Sequence, residues 1–133
     1  QQLYQTFRQS GYLLPTRKGI EKTDEKFLNQ ITTIIRAELS NTNLNVEALA
    51  EKTELSRTQL YKKIKALTGL SAVEFIREIR LKEAVALMEQ GEHNLTEVAY
   101  QSGFNSPSYF SRSFKEYYGL SPSELMDKKL RKE

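Results

Sequence analysis

A chain of 133 residues, 38% hydrophobic and 28% charged, is long enough for one domain with a real core, or for two small halves sharing a central element. It contains no cysteine, which excludes disulfide frameworks, thiolate catalysis and cysteine-ligated zinc and fits a reducing cytoplasm. No apolar run approaches the roughly 18 residues of a membrane span and no signal-peptide pattern stands at the start, so the expectation is a soluble, cytoplasmic segment with no membrane partner. The net charge of +3 is unevenly placed: residues 1–23 carry Arg8, Arg17, Lys18 and Lys22 against Glu21 alone, and the remainder is balanced. Position therefore says more than the total.

Residues 1–23 are Gln-rich at the start, with Gly11, Pro15 and Gly19 and scattered aromatics. They are too few to bury a core and read as a linker or the end of an upstream module, with a helical turn near Leu3 to Gln9. A first helix near Asp24 to Leu39 carries Phe27, Ile31, Ile34, Ile35 and Leu39 at helical spacing, and its acidic start suits the positive end of the helix dipole. Asn45 and Asn94 stand at equivalent places as N-caps of short helices running to about Thr53 and Ser102, and Glu97 completes a capping-box spacing with Asn94.

A second helix follows each of these. Ser56 with Gln59 makes a capping-box pattern, Ser106 is followed by Pro107 at the first helical position, and Gly69 and Gly119 mark the left-handed ends. A long helix from about Ala72 to Gln90 opens with Ser71 and Glu74 and closes at Gly91, with apolar residues on more than one face. Its length of roughly 30 Å compares with about 34 Å between successive major-groove faces on one side of B-DNA. The last helix opens with Ser121-Pro122-Ser123-Glu124 and ends in Lys128, Lys129, Arg131 and Lys132, which read as a solvated tail before a phosphate contact.

The middle of the chain is a duplication. Leu49-Ala50, Leu55-Ser56, Leu60, Ile64 and Gly69-Leu70-Ser71 recur about fifty residues later as Val98-Ala99, Phe104, Ser106, Phe110, Phe114 and Gly119-Leu120-Ser121, with one extra residue between the copies of Ala50 and Ser56. Each copy is a short helix, a tight turn and a second helix, the outline of a helix-turn-helix. The expected fold is all-α, about seven helices, homeodomain-like: subdomains over 24–70 and 92–133 joined by a linking helix over 71–91. Within the second helices the windows Ser56–Lys65, with Arg57, Lys62, Lys63 and Lys65, and Ser106–Lys115, with Arg112 and Lys115, are basic and contain no acid. Two such units point to two faces reading one long, asymmetric duplex site.

Gly103-Phe104, Ser108-Tyr109-Phe110, Arg112, Phe114-Lys115 and Gly119-Leu120-Ser121-Pro122 resemble the signature of the AraC/XylS family of bacterial transcription regulators, and Phe75-Ile76-Arg77 with Arg80-Leu81 and Ala84 resembles its linking helix. The resemblance covers residues 24 to about 127. It departs at Leu125 and Met126, where the family often has an aromatic and an arginine. It implies a domain that binds promoter DNA, usually as an activator that also touches RNA polymerase. Thr23-Asp24-Glu25-Lys26-Phe27 after a basic linker resembles the start of the output domain in hybrid two-component regulators, which implies an upstream receiver or sensor and genes of polysaccharide use.

Carried over by position, the resemblance implies Arg57, Thr58, Tyr61, Lys62 and Lys65 as the exposed face of the first reading helix, and Pro107, Ser108, Ser111, Arg112 and Lys115 as that of the second. Leu60, Ile64, Phe110 and Phe114 are then core. Arg112 and Lys62 can donate to guanine O6 and N7, and arginine does so with two N–H groups, which ranks Arg112 first. Thr58, Ser108 and Ser111 specify less, Tyr61 suits the sugar-phosphate edge, and Pro107 offers only an apolar contact. On the linking helix, Arg77 and Arg80 can hold phosphates or pair with Glu74, Glu78 and Glu83, and Arg80 is the favoured phosphate contact. Tyr109 reads as packed or capping, and Tyr100, Tyr117 and Tyr118 as partly buried structural aromatics.

Catalysis, a metal or a cofactor finds no support. His93 is the sole histidine, only two aspartates occur, and the Ser111 to Lys115 string is one residue too long for the lactamase pattern. The competing reading is a helical module that binds protein, such as polymerase, without specific DNA binding of its own.

Overall fold

The computed structural model describes residues 22–92 and 94–132, with side chains as far as Lys128. The turn expected near Leu3 to Gln9, His93, and the basic side chains of Lys129, Arg131 and Lys132 lie outside the described residues. Among those described there are seven helices and no strand: α1 (Lys22–Ala37), α2 (Val46–Thr53), α3 (Arg57–Thr68), α4 (Ala72–Glu89), α5 (Leu95–Gln101), α6 (Pro107–Tyr118) and α7 (Pro122–Lys132). The all-α expectation holds. The first helix ends two residues early, and Leu39 is half-buried in the turn that follows, its N–H donating to the Arg36 carbonyl.

Local chemistry sets most of these limits. The Ser56 hydroxyl accepts from the Gln59 N–H at 3.1 Å while the Gln59 side chain accepts from the Ser56 N–H at 2.9 Å, so two of the amides left over at the start of α3 are satisfied. Ser71 with Glu74 and Ser121 with Glu124 repeat this reciprocal pair at α4 and α7. Hydrogen bonding with the serine backbone, then with the serine side chain, holds both carboxyls below their ordinary pKa. A depressed folded pKa means that each box is fully in place above the ordinary carboxylate range and is lost as pH falls through the lowered value.

At α5 only half of the expected box forms. The Asn94 side chain caps the Glu97 N–H at 3.2 Å, but the Asn94 N–H donates to Glu92 at 2.9 Å. Glu97 instead accepts from Gln101 one turn on. A closer acceptor, two residues back, took the bond that the spacing assigned to Glu97.

The chain divides into two compact units with the boundary between Ile79 and Arg80, inside α4. In the first, α1 packs on α2 and α2 on α3. Its core is largely aliphatic: Ile31, Ile35, Leu49, Leu60 and Ile64 are fully buried, with Phe27 and Phe75 beside them and Ala72, Ile76 and Ile79 from the first half of α4. The Lys63 ammonium lies 4.5 Å over the Phe27 ring and covers its outer face.

In the second unit, α5 packs on α6 and α6 on α7. The same positions are filled by rings. Phe104, Phe110, Phe114 and Tyr118 are buried and run in succession with centroids 5.2, 5.6 and 4.6 Å apart, tilted or edge-on, the geometry that ring quadrupoles favour. Leu81, Ala84, Val85 and Met88 from the second half of α4 are buried as well. Leu125, where the family often has an aromatic, is 4% exposed, so this departure is one of core packing.

The two turns are built alike. After α2 the Leu55 N–H reaches the Ala50 carbonyl and the Glu54 N–H the Glu51 carbonyl; after α5 the Phe104 N–H reaches Ala99 and the Gly103 N–H reaches Tyr100. Both are Schellman closures with a left-handed residue, Gly103 at φ 93° and Glu54 at φ 60°. Asn105 is the extra residue, placed after the second closure and before the Ser106 cap.

Phe110→Ala should destabilise by about 3–5 kcal/mol and Leu60→Ala by about 2–5 kcal/mol, read as a lowered denaturant midpoint at unchanged slope. Glu54→Gly should stabilise by about 1 kcal/mol, because the strain of a left-handed non-glycine residue exceeds the backbone entropy that glycine adds to the unfolded chain. A thermal midpoint that does not rise would contradict the second expectation.

Candidate nucleic-acid interface

Burial of one stripe on each second helix leaves the opposite face outside. On α3, Leu60, Ile64, Leu67 and Thr68 are buried while Arg57, Thr58, Lys62 and Lys65 are exposed and Tyr61 is half-buried. On α6, Phe110, Ser113, Phe114 and Tyr118 are buried while Ser108, Ser111, Arg112 and Lys115 are exposed and Pro107 is half-buried. Neither helix has an acidic residue in its first turn. Each thus presents a face that carries cations, from Arg57 at the first position of α3 and from Arg112 in the second turn of α6, and the backbone N–H groups and dipole at each helix start add positive potential.

Individual cations are engaged differently. The Lys65 ammonium donates to the Gly69 carbonyl at 2.9 Å, capping the end of its own helix. Arg57 is held on three sides: Nη1 donates to Glu47 Oε1 at 3.1 Å, Nη2 donates to the Tyr61 hydroxyl at 3.2 Å, and the guanidinium lies 5.4 Å from the Tyr61 ring centroid. The hydrogen bond to Tyr61, and secondarily the nearby charges, raise the Arg57 pKa above its ordinary value. α3 contains no acid, yet the fold brings Glu47 of α2 to its first residue. Glu47 is the functional candidate that reading each helix by itself misses, since the contact spans ten residues and a turn.

Arg80 is not a surface phosphate contact. It is 6% exposed, and Nη1 donates to the Ser102 carbonyl at 3.2 Å, which satisfies a backbone acceptor at the end of α5. Burial lowers its pKa from the ordinary arginine value. The side chain serves the turn between α5 and α6, which explains an arginine at a buried position of the linking helix. Tyr100 also departs from expectation: at 45% exposure it is a surface ring. Tyr109 is exposed as well, although its ring meets Phe104 edge-on at 5.6 Å; its backbone N–H donates to the capping Ser106 hydroxyl at 3.1 Å.

Among the described residues no three His, Cys, Asp or Glu side chains gather into a metal site, and no helix is long and apolar enough to cross a membrane. Two exposed basic faces on capped helices, each seated by a preceding short helix, have the chemistry for a polyanion with grooves.

Comparison with known proteins agrees. Residues 49–128 match the family described as a helix-turn-helix domain. The chain is 35% identical over 122 residues to histidine kinase P4 of Formosa agariphila, a match spanning 92% of this chain and 9% of that protein. The C-terminal domain of AraT, a response regulator from Geobacillus stearothermophilus, superposes with a TM-score of 0.69 at 28% identity, covering 75% of this chain and 83% of that one. The DNA-binding domain of the transcriptional factor AdpA, solved in complex with a target DNA, gives 0.68 at 26% identity, covering 75% and 89%. The chain therefore belongs to the AraC/XylS-type helix-turn-helix domains, the DNA-binding class of transcription regulators.

Proposed function

We propose that this domain binds duplex DNA sequence-specifically by placing α3 and α6 in successive major grooves, as the output part of a longer cytoplasmic regulator, an activator that also contacts RNA polymerase. The carrying observation is the pairing of two exposed basic faces on helices with matching turns and caps. α4, 18 residues and about 27 Å long, carries the last residues of the first unit and the first α-helical residues of the second. The small share of the kinase that the chain covers, together with the likeness to a response regulator's C-terminal domain, supports a place downstream of a receiver or sensor in a two-component protein.

Within this reading Arg112 and Lys62 read bases, Thr58, Ser108 and Ser111 contribute weaker base or phosphate contacts, Pro107 makes an apolar contact, and Lys115 holds phosphate. Tyr61 lies against the sugar-phosphate edge. Lys65 gives one of its three N–H donors to the Gly69 carbonyl and contacts phosphate with the others.

A duplex carrying two half-sites about 10 base pairs apart should bind with log K falling steeply against log salt, at a slope near −0.9 per phosphate contact. If no duplex binds above background at low salt, the DNA reading fails and the protein-binding module takes its place. Arg112→Ala should weaken binding by about 1–3 kcal/mol on its cognate site and relax the preference at one base pair, whereas Lys115→Ala should weaken all sequences alike and lower the salt slope by about one contact. Equal losses on cognate and random DNA for Arg112→Ala would rule out base reading.

A further inference from the structure

We infer that Glu47 is a positioning residue that sets Arg57 as a base reader and withholds it from the phosphate backbone. The inference rests on the DNA reading above and adds to it a second arginine reader, in the first motif, with a named support. It comes from one juxtaposition: the Arg57 guanidinium at the first position of α3, bonded to Glu47 of α2 on one nitrogen and to Tyr61 on another, with the Tyr61 ring beneath it.

A guanidinium carries five N–H donors. Two are spent on Glu47 and Tyr61, which leaves three, and reading guanine O6 and N7 takes two. The arrangement thus restrains the side chain without exhausting it. Arginine normally loses rotamer freedom when it docks, and here part of that loss is already met before DNA arrives. The acceptors are drawn from both helices of the motif, so the guanidinium is tied to the motif and not only to its own backbone.

Charge works in the same direction. Glu47 and Arg57 together are neutral, so the pair gains little from a phosphate, and a carboxylate beside the duplex backbone is repelled. A base edge has no net charge, and its recognition depends on hydrogen-bond geometry, which the pair preserves. Both side chains stay open to solvent, 70% for Glu47 and 58% for Arg57, so the face is reachable. Lys62, also exposed on α3, has no such partner among the described residues.

The experiment measures binding of the chain and its Glu47→Ala, Glu47→Gln, Arg57→Ala and Glu47→Ala/Arg57→Ala variants to a duplex selected from a random pool, to its single-base-pair variants and to a random duplex, across a salt series. For Glu47→Ala the cognate-to-random ratio should fall about fivefold, and random-duplex affinity should rise with a log-salt slope steeper by about 0.9, as the released guanidinium takes a phosphate. Its lost discrimination should lie at the base pair that Arg57→Ala also blurs, and the double variant should discriminate no worse than Arg57→Ala alone. Glu47→Gln, which keeps an acceptor but drops the charge, should fall between wild type and Glu47→Ala. Because Glu47 is exposed, the thermal midpoint should hold, which separates positioning from stability. An unchanged ratio and slope for Glu47→Ala, or losses that add in the double variant, would overturn the inference while leaving DNA binding intact. Absence of duplex binding by the wild-type chain would instead overturn the DNA reading, and this inference with it.

Discussion

The structure depends on one constraint, applied twice: a three-turn helix must bury one stripe against a short helix that precedes it by a turn of fixed shape. The stripe at Leu60, Ile64 and Thr68, or at Phe110, Phe114 and Tyr118, sits at four-residue spacing, so burying it leaves a determined opposite face in solvent. The Schellman closures at Glu54 and Gly103 and the serine caps at Ser56 and Ser106 set where that helix begins. What the solvent face carries can then vary without disturbing the fold, and here it carries arginine, lysine and small hydroxyl residues. Function rests on a surface whose direction is decided by the core.

The two copies meet this constraint with different materials. The first fills its stripe with Leu60, Ile64 and Thr68, whose hydroxyl donates to the Ile64 carbonyl, and holds a non-glycine residue in the left-handed position; the second uses a run of buried rings and the permissive glycine. One extra residue, Asn105, follows the second closure, and Ser106 still caps its helix. Arg80 adds a support to the second copy, a buried donor to the Ser102 carbonyl just past the end of α5. Equivalent geometry from unlike side chains shows that the pattern of burial, more than the identity of each residue, specifies this motif.

Exposed charge on such a helix is not uniform either. Lys65 closes its own helix, Lys63 lies over a core ring, and Arg57 is shared between Glu47 and Tyr61. Only part of the basic count on α3 is thus disposed toward phosphate, and a charge tally overstates that attraction. The distinction between cations that tether and cations that discriminate is drawn by their neighbours.

By itself the sequence determined the all-α class, the duplication, the capped helix ends and the outward residues of α3 and α6. These follow from rules acting over three or four residues: serine caps with their return partners, glycines at left-handed ends, and apolar spacing near 3.6. It determined less wherever two local partners compete, as at Asn94, whose N–H goes to Glu92 and not to Glu97. Only the tertiary structure decided that Arg80 is buried on a backbone carbonyl, that Tyr100 lies in solvent, that Leu125 fills the core, and that Glu47 meets Arg57. Each of those depends on which helix stands opposite a given face, and that is set by packing between segments ten or more residues apart, a distance at which periodicity carries no information.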